Sequence, residues 1–115
     1  MVTEITREEL QQKLEHPKKS VVLEVLALTE YLRAHIPGAL NMPPDQVRLL
    51  APELIPRKDL EVIVYCAGPS RHASEKVADE LTTMGYIDVR HYAGGKSDWV
   101  NAGLPVTRED TKEAA

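Results

Sequence analysis

The sequence predicts an α/β domain whose sheet is mostly parallel and carries helices on both faces. Three observations lead there. Short β-branched or apolar runs alternate with stretches of helical spacing along the chain. The central run, Val62-Ile63-Val64-Tyr65, lacks the polar alternation of a half-exposed strand and so suits a strand covered from both sides. Gly or Pro punctuates most junctions between the runs.

Taken in order, Thr6 and Glu9 form a Thr-x-x-Glu capping box, with Ile5 and Leu10 placed as a hydrophobic staple, so a helix is expected to begin at Arg7. Pro17 disfavours helix at the residue before it and stops this helix near His16. Residues 21–25 (VVLEV) read as a buried strand, and Thr29 is placed to cap a brief helix over residues 30–34. His35-Ile36-Pro37-Gly38 reads as a turn, with His35 expected to brace it through its ring nitrogens. Residues 39–42 follow as a short strand, and Pro44 and Asp45 open a helix through Leu50 that Pro52 and Pro56 bring to an end.

Beyond the central strand, Ala73, Val77, Leu81 and Met84 recur at helical spacing, and Gly85 supplies the stop. Residues 88–92 read as a further strand and Gly94-Gly95 as a loop. A last short helix over residues 97–102 is anchored by Trp99, with Gly103 in its C′ position. The polar end REDTKEAA reads as a frayed tail, which places one domain at residues 1–107 and the tail at 108–115.

A chain of 115 residues suffices for one domain with a single modest core. With 43% hydrophobic and 28% charged residues and a formal net charge of -4, the composition is that of an ordinary soluble globular protein. No basic cluster offers a phosphate footprint, which argues against nucleic acid as a partner, and no apolar run approaches the roughly 18 residues of a membrane span. The start, MVTEITREEL, lacks the regions of a secretory signal, so a cytoplasmic location is expected. The single cysteine excludes an intramolecular disulfide, and no His/Cys cluster suggests zinc. Any second thiol must come from a partner or a small molecule.

That cysteine, Cys66, falls at the carboxyl end of the central strand, where sheets of this kind bind ligands. A helix follows, and its first turn presents unpaired N–H groups and the positive end of a dipole, a setting that stabilises a thiolate. Gly68 lets the loop turn back so that successive N–H groups converge on the sulfur, and Pro69 bars continuation of the strand. Ser70 is placed as a helix N-cap able also to donate to a bound anion. Arg71 supplies a fixed charge that can fork onto an oxyanion, and His72 reads first as a partly exposed helix residue, with base or donor to substrate as the alternative. A buried structural cysteine is the alternative, since Cys packs as a small hydrophobe. The strand-loop-helix setting with Arg71 nearby favours the reactive reading. His16 and His91 have no partner clustered with them in the sequence.

Glu30-Tyr31 followed by His35-Ile36-Pro37-Gly38-Ala39-Leu40-Asn41-Met42-Pro43, then Val64-Tyr65-Cys66, then Tyr92-Ala93-Gly94-Gly95 with Trp99, Gly103, Leu104 and Pro105 resemble the single-domain rhodanese-like (thiosulfate sulfurtransferase-like) proteins over roughly residues 3–106. HIPGALN together with GG-x3-W-x3-GLP is specific as a pair. The resemblance implies a rhodanese-like fold, a five-stranded mostly parallel sheet with helices on both faces. It implies Cys66 as the nucleophile that takes the outer sulfur of a small donor anion (thiosulfate, polysulfide or persulfide) and carries it as a persulfide. A thiol, cyanide or a sulfur-accepting protein then removes it. The N–H groups of Ala67 to Arg71 would stabilise thiolate and persulfide, and Arg71 would orient the donor, with no metal or organic cofactor.

Members commonly show Asp-x-Arg after the first buried strand, where this chain has Glu24-Val25-Leu26, and many have a loop like Cys-Arg-x-Gly-x-Arg, where it reads Cys-Ala-Gly-Pro-Ser-Arg. The pocket is thus expected to be less positive than usual. A non-catalytic protein-binding or sulfur-sensing module is the alternative function. Phosphatase or arsenate reductase chemistry is disfavoured, because relatives that enclose a tetrahedral oxyanion use Cys-x5-Arg, and Cys66 to Arg71 is Cys-x4-Arg.

Overall fold

The computed structural model describes residues 2–15, 20–68 and 72–109. In chain order the elements are β1 (Thr3–Glu4), α1 (Arg7–Leu14), β2 (Ser20–Glu24), α2 (Leu28–Arg33), β3 (Leu40–Asn41), a 3-10 turn (Pro44–Gln46) running into α3 (Val47–Leu54), β4 (Glu61–Tyr65), α4 (His72–Thr83), β5 (Asp88–His91) and α5 (Gly95–Asn101). The five strands form one sheet in the order β1-β5-β4-β2-β3, every pair parallel. Because β4 pairs with β2 on one side and β5 on the other, in a register that sets Tyr65 opposite Glu24 and Val64 opposite His91, the carboxyl ends of three strands meet around Cys66.

The apolar run of β4 is buried throughout, and its side chains divide between two layers by the period of two. Val62 and Val64 join Leu23 and Val89 under α3 and α4, through Val47, Ala51, Val77, Ala78 and Leu81. Ile63 and Tyr65 join Val22 and Tyr92 under α1 and α5, through Leu10 and Trp99. Two clusters, one on each face, thus replace the single modest core that length alone suggests. Among the described residues no helix is long and apolar enough to cross a membrane.

The capping box forms as read: Thr6 Oγ1 accepts from the Glu9 N–H at 3.1 Å, and Glu9 Oε1 accepts from the Thr6 N–H at 2.9 Å. The Pro37-Gly38 turn closes through Ala39 N–H to Ile36 O at 3.0 Å, with Gly38 at φ +87° as a type II turn requires. After α4, the bonds from Gly85 N–H to Thr82 O and Tyr86 N–H to Leu81 O make a Schellman ending.

Several expectations are corrected. The fifth strand, β1, is only two exposed residues and carried no signal of its own. Thr29 lies inside α2 and does not cap it; Ala27 precedes the helix, and its carbonyl accepts from both Glu30 and Tyr31. Pro52 does not end α3 but sits within it, lacking one N–H while Val47, Ala51 and Ile55 hold the segment in the core. His35 is buried and binds away from the turn: Nδ1 meets Tyr31 O at 2.8 Å and the two rings stack at 3.8 Å. Gly95 opens α5 two residues before the expected start. The expected tail begins with Arg108 and Glu109, which bond back to Arg33 O and Leu32 O of α2; residues 110–115 lie outside the described residues.

Candidate functional site

Cys66 leaves the sheet at the carboxyl end of β4, and its carbonyl is held before the loop begins. Gly95, at φ +70°, approaches so closely that a Cβ there would lie 2.6 Å from Cys66 O and 2.9 Å from Gly68 N. Only glycine permits this contact. The approach lets Lys96 N–H donate to Cys66 O and Ser97 N–H to Ala67 O, both at 2.8 Å. The Gly94-Gly95 segment therefore clamps the base of the loop as well as lying beside it.

The Cys66 sulfur faces α4. Its Sγ lies 3.2 Å from Ser74 Oγ, and Ser74 Oγ lies 2.7 Å from His91 Nε2. The three residues are 4%, 0% and 2% exposed, so this line of polar atoms is closed off from bulk water. Ser74 stands in the first turn of α4, which sets the sulfur near the positive end of the helix dipole. His91, read from the sequence as having no clustered partner, has one after all. Parallel pairing brings the end of β5 beside the end of β4, and α4 then delivers a hydroxyl from 17 residues away.

The opposite face of the same sheet end holds a second polar group. Glu24 is fully buried; its Oε1 accepts from Tyr65 OH at 2.7 Å and its Oε2 from Lys96 Nζ at 2.9 Å. The Tyr65 hydroxyl in turn accepts from the Ile36 N–H at 3.1 Å, and Lys96 Nζ also donates to Glu30 O at 3.0 Å. Burial, and after it the negative charge of Glu24, pushes the Tyr65 phenol far above its ordinary value, so it remains a protonated donor. Where Leu26 stands in place of the expected arginine, Lys96 supplies the cation for Glu24 from α5. Nothing in the local sequence pairs residues 24 and 96.

Beside the loop, Leu26, Glu30, Ala67, Lys96, Ser97 and Val100 line an open cleft of about 350 Å³. Among the residues singled out from the sequence, Cys66 and Gly68 are buried, Ala67 is exposed at the cleft, and His72 is exposed as the first residue of α4. Pro69, Ser70 and Arg71 lie outside the described residues, as does His16. Ser74, His91 and Lys96 are site residues that sequence reading missed, as is the pairing of Lys96 with Glu24.

A family model described as the rhodanese-like domain matches residues 6–102. The chain is 32% identical over 106 residues to a sulfurtransferase of Allochromatium vinosum, covering 92% of this chain and 95% of that protein. It is 34% identical to the thiosulfate:glutathione sulfurtransferase of Saccharomyces cerevisiae, covering 76% of this chain and 70% of that one. Among solved structures it superposes on a thiosulfate sulfurtransferase from Pseudomonas aeruginosa with a TM-score of 0.82 at 29% identity, covering 93% of this chain but only 20% of that one.

Proposed function

The chain belongs to the rhodanese-like domain family, whose relatives support a sulfurtransferase-type function in general, and from that premise we propose that it moves a sulfane sulfur from a donor to a nucleophilic acceptor through a persulfide on Cys66. The donor is thiosulfate, polysulfide or a persulfide, and the acceptor is a thiol or cyanide. Supporting this reading above all is the position of Cys66: at the carboxyl end of the central strand, its carbonyl clamped by α5 and its sulfur over the first turn of α4.

In the first half-reaction the Cys66 thiolate attacks the outer sulfur of the donor. A new S–S bond forms at Cys66 as the donor's own S–S bond breaks, and sulfite leaves from thiosulfate, a shortened polysulfide from polysulfide, or a thiolate from a persulfide. In the second, the acceptor attacks the outer sulfur of the persulfide, the S–S bond at Cys66 breaks, and the thiolate returns. The dipole of α4 stabilises the anionic sulfur at each stage.

A panel of thiosulfate, inorganic polysulfide and glutathione persulfide, each paired with cyanide and with glutathione, tests this on wild type and Cys66→Ser. Turnover with at least one pair, abolished in Cys66→Ser, is the expected result. Absence of turnover with every pair, or turnover unchanged in the variant, would overturn it.

A further inference from the structure

We propose that Ser74 and His91 form a proton relay that takes up the thiol proton of Cys66. This rests on Cys66 being the nucleophile of the proposed sulfur transfer. Ser74 touches the reacting sulfur, whereas His91 acts through Ser74 and is a positioning residue.

The heavy-atom spacing serves both ends of the transfer without movement. With the thiol protonated, the S–H donates to Ser74 Oγ across 3.2 Å and the Ser74 O–H donates to His91 Nε2 across 2.7 Å, the ring proton residing on Nδ1. After transfer every bond points the other way: His91 Nε2–H donates to Ser74 Oγ, and the Ser74 O–H donates to the thiolate. One S–H bond breaks and one N–H bond forms, no electrons change hands, and the product is a thiolate with an imidazolium. Hydrogen bonds to an ion are the stronger kind, which offsets part of the cost of burying the charged pair.

Charge on the far side of His91 favours the same direction. His91 lines a cavity of about 250 Å³ with Glu4 from β1 and Glu75 and Asp79 from α4, while Cys66 approaches from the end of β4. Carboxylates of two elements thus share the lining of this cavity with His91, and negative charge nearby favours an imidazolium by Coulomb attraction. The Ser74 hydroxyl, within hydrogen-bond reach of both sulfur and ring, is a direct path for the proton.

The test is the rate at which iodoacetamide alkylates Cys66, followed by intact mass from about pH 5 to about pH 10, a reading that needs a thiolate but no sulfur transfer. Relay and sulfurtransferase readings can therefore fail separately. Ser74→Ala is expected to slow alkylation near pH 7 about tenfold and raise the midpoint of the profile by about one pH unit, leaving the high-pH plateau unchanged. His91→Gln keeps an amide beside Ser74 but cannot take a proton, and is expected to raise the midpoint likewise. Glu4→Gln, at an exposed strand position, should raise it by less, about twofold in rate. Circular dichroism confirms that each variant is folded. A folded Ser74→Ala with the wild-type profile overturns the relay. A shift in Ser74→Ala with none in His91→Gln, or, should that variant not fold, none in Glu4→Gln, removes His91 from it.

Discussion

The carboxyl end of the sheet carries buried polar side chains on both faces, and the two groups are built from different chemistry. Toward α4, Cys66, Ser74 and His91 meet through a thiol, a hydroxyl and an imidazole, whose hydrogen bonds can reverse direction. Toward α5, Glu24, Tyr65 and Lys96 meet as a carboxylate between a phenol and an ammonium, where donors and acceptors are fixed by charge. The first group is the proposed proton relay, whereas the second binds a buried carboxylate in place. One residue joins them, since the sulfur of Cys66 faces the first while its carbonyl is bonded by the backbone of Lys96. In the proposed function, reactivity and rigidity are thereby divided between the two faces of a single sheet.

The division is tested most severely at Lys96. Lys96→Met would leave Glu24 charged and buried with no cation, and is expected to cost about 3–5 kcal/mol in urea unfolding at neutral pH. Sulfur transfer per folded molecule should fall less than the stability does. A variant within about 1 kcal/mol of wild type would break the distinction between the faces. Gly95→Ala should damage both sides at once. Strain at φ +70° and a Cβ driven onto Cys66 O are expected to cost about 1–3 kcal/mol and to displace the loop, lowering Cys66 alkylation as well as the denaturation midpoint. Tyr65→Phe removes one donor from Glu24 and leaves the Ile36 N–H without its acceptor, for about 1–2 kcal/mol with the alkylation profile of Cys66 unchanged.

The smallest effect concerns pH. The Tyr92 hydroxyl, and beside it the Arg7 guanidinium, hold the Asp98 carboxyl below its ordinary value. A depressed carboxylate contributes stability above its unfolded value of 3.8 and loses it as pH falls through the folded value. Asp98→Asn should therefore flatten the acid limb of the unfolding curve slightly, because the Asp98 side chain is 38% exposed and its pairing with Arg7 is screened by solvent. An acid limb identical to wild type would remove Asp98 from the acid response.

Much of the fold was legible because its signals are local. The run Val62 to Tyr65, the helical spacing of Val77 and Leu81, the Thr6–Glu9 box and the Pro37-Gly38 turn each state their structure within a few residues. Thr3 and Glu4 do not, because their strand exists only through pairing with Arg90 and His91. Pro52 misled for a related reason: its helix is held by core contacts that local propensity does not register. At the site, Cys66 stood out by its place between strand and helix. Ser74 and His91 did not, because hydrogen bonds between residues 17 apart on different elements leave no spacing to read. Lys96 and Glu24, separated by 72 positions, were equally silent.

The proposed persulfide on Cys66 can be read directly. Folded protein is incubated with each of the three sulfur donors, and intact mass with peptide mapping then locates any added sulfur. One added sulfur on Cys66, removed by cyanide and absent from Cys66→Ser, is the expected result. Wild-type protein that gains no sulfur from any donor, while iodoacetamide still labels Cys66, would contradict it.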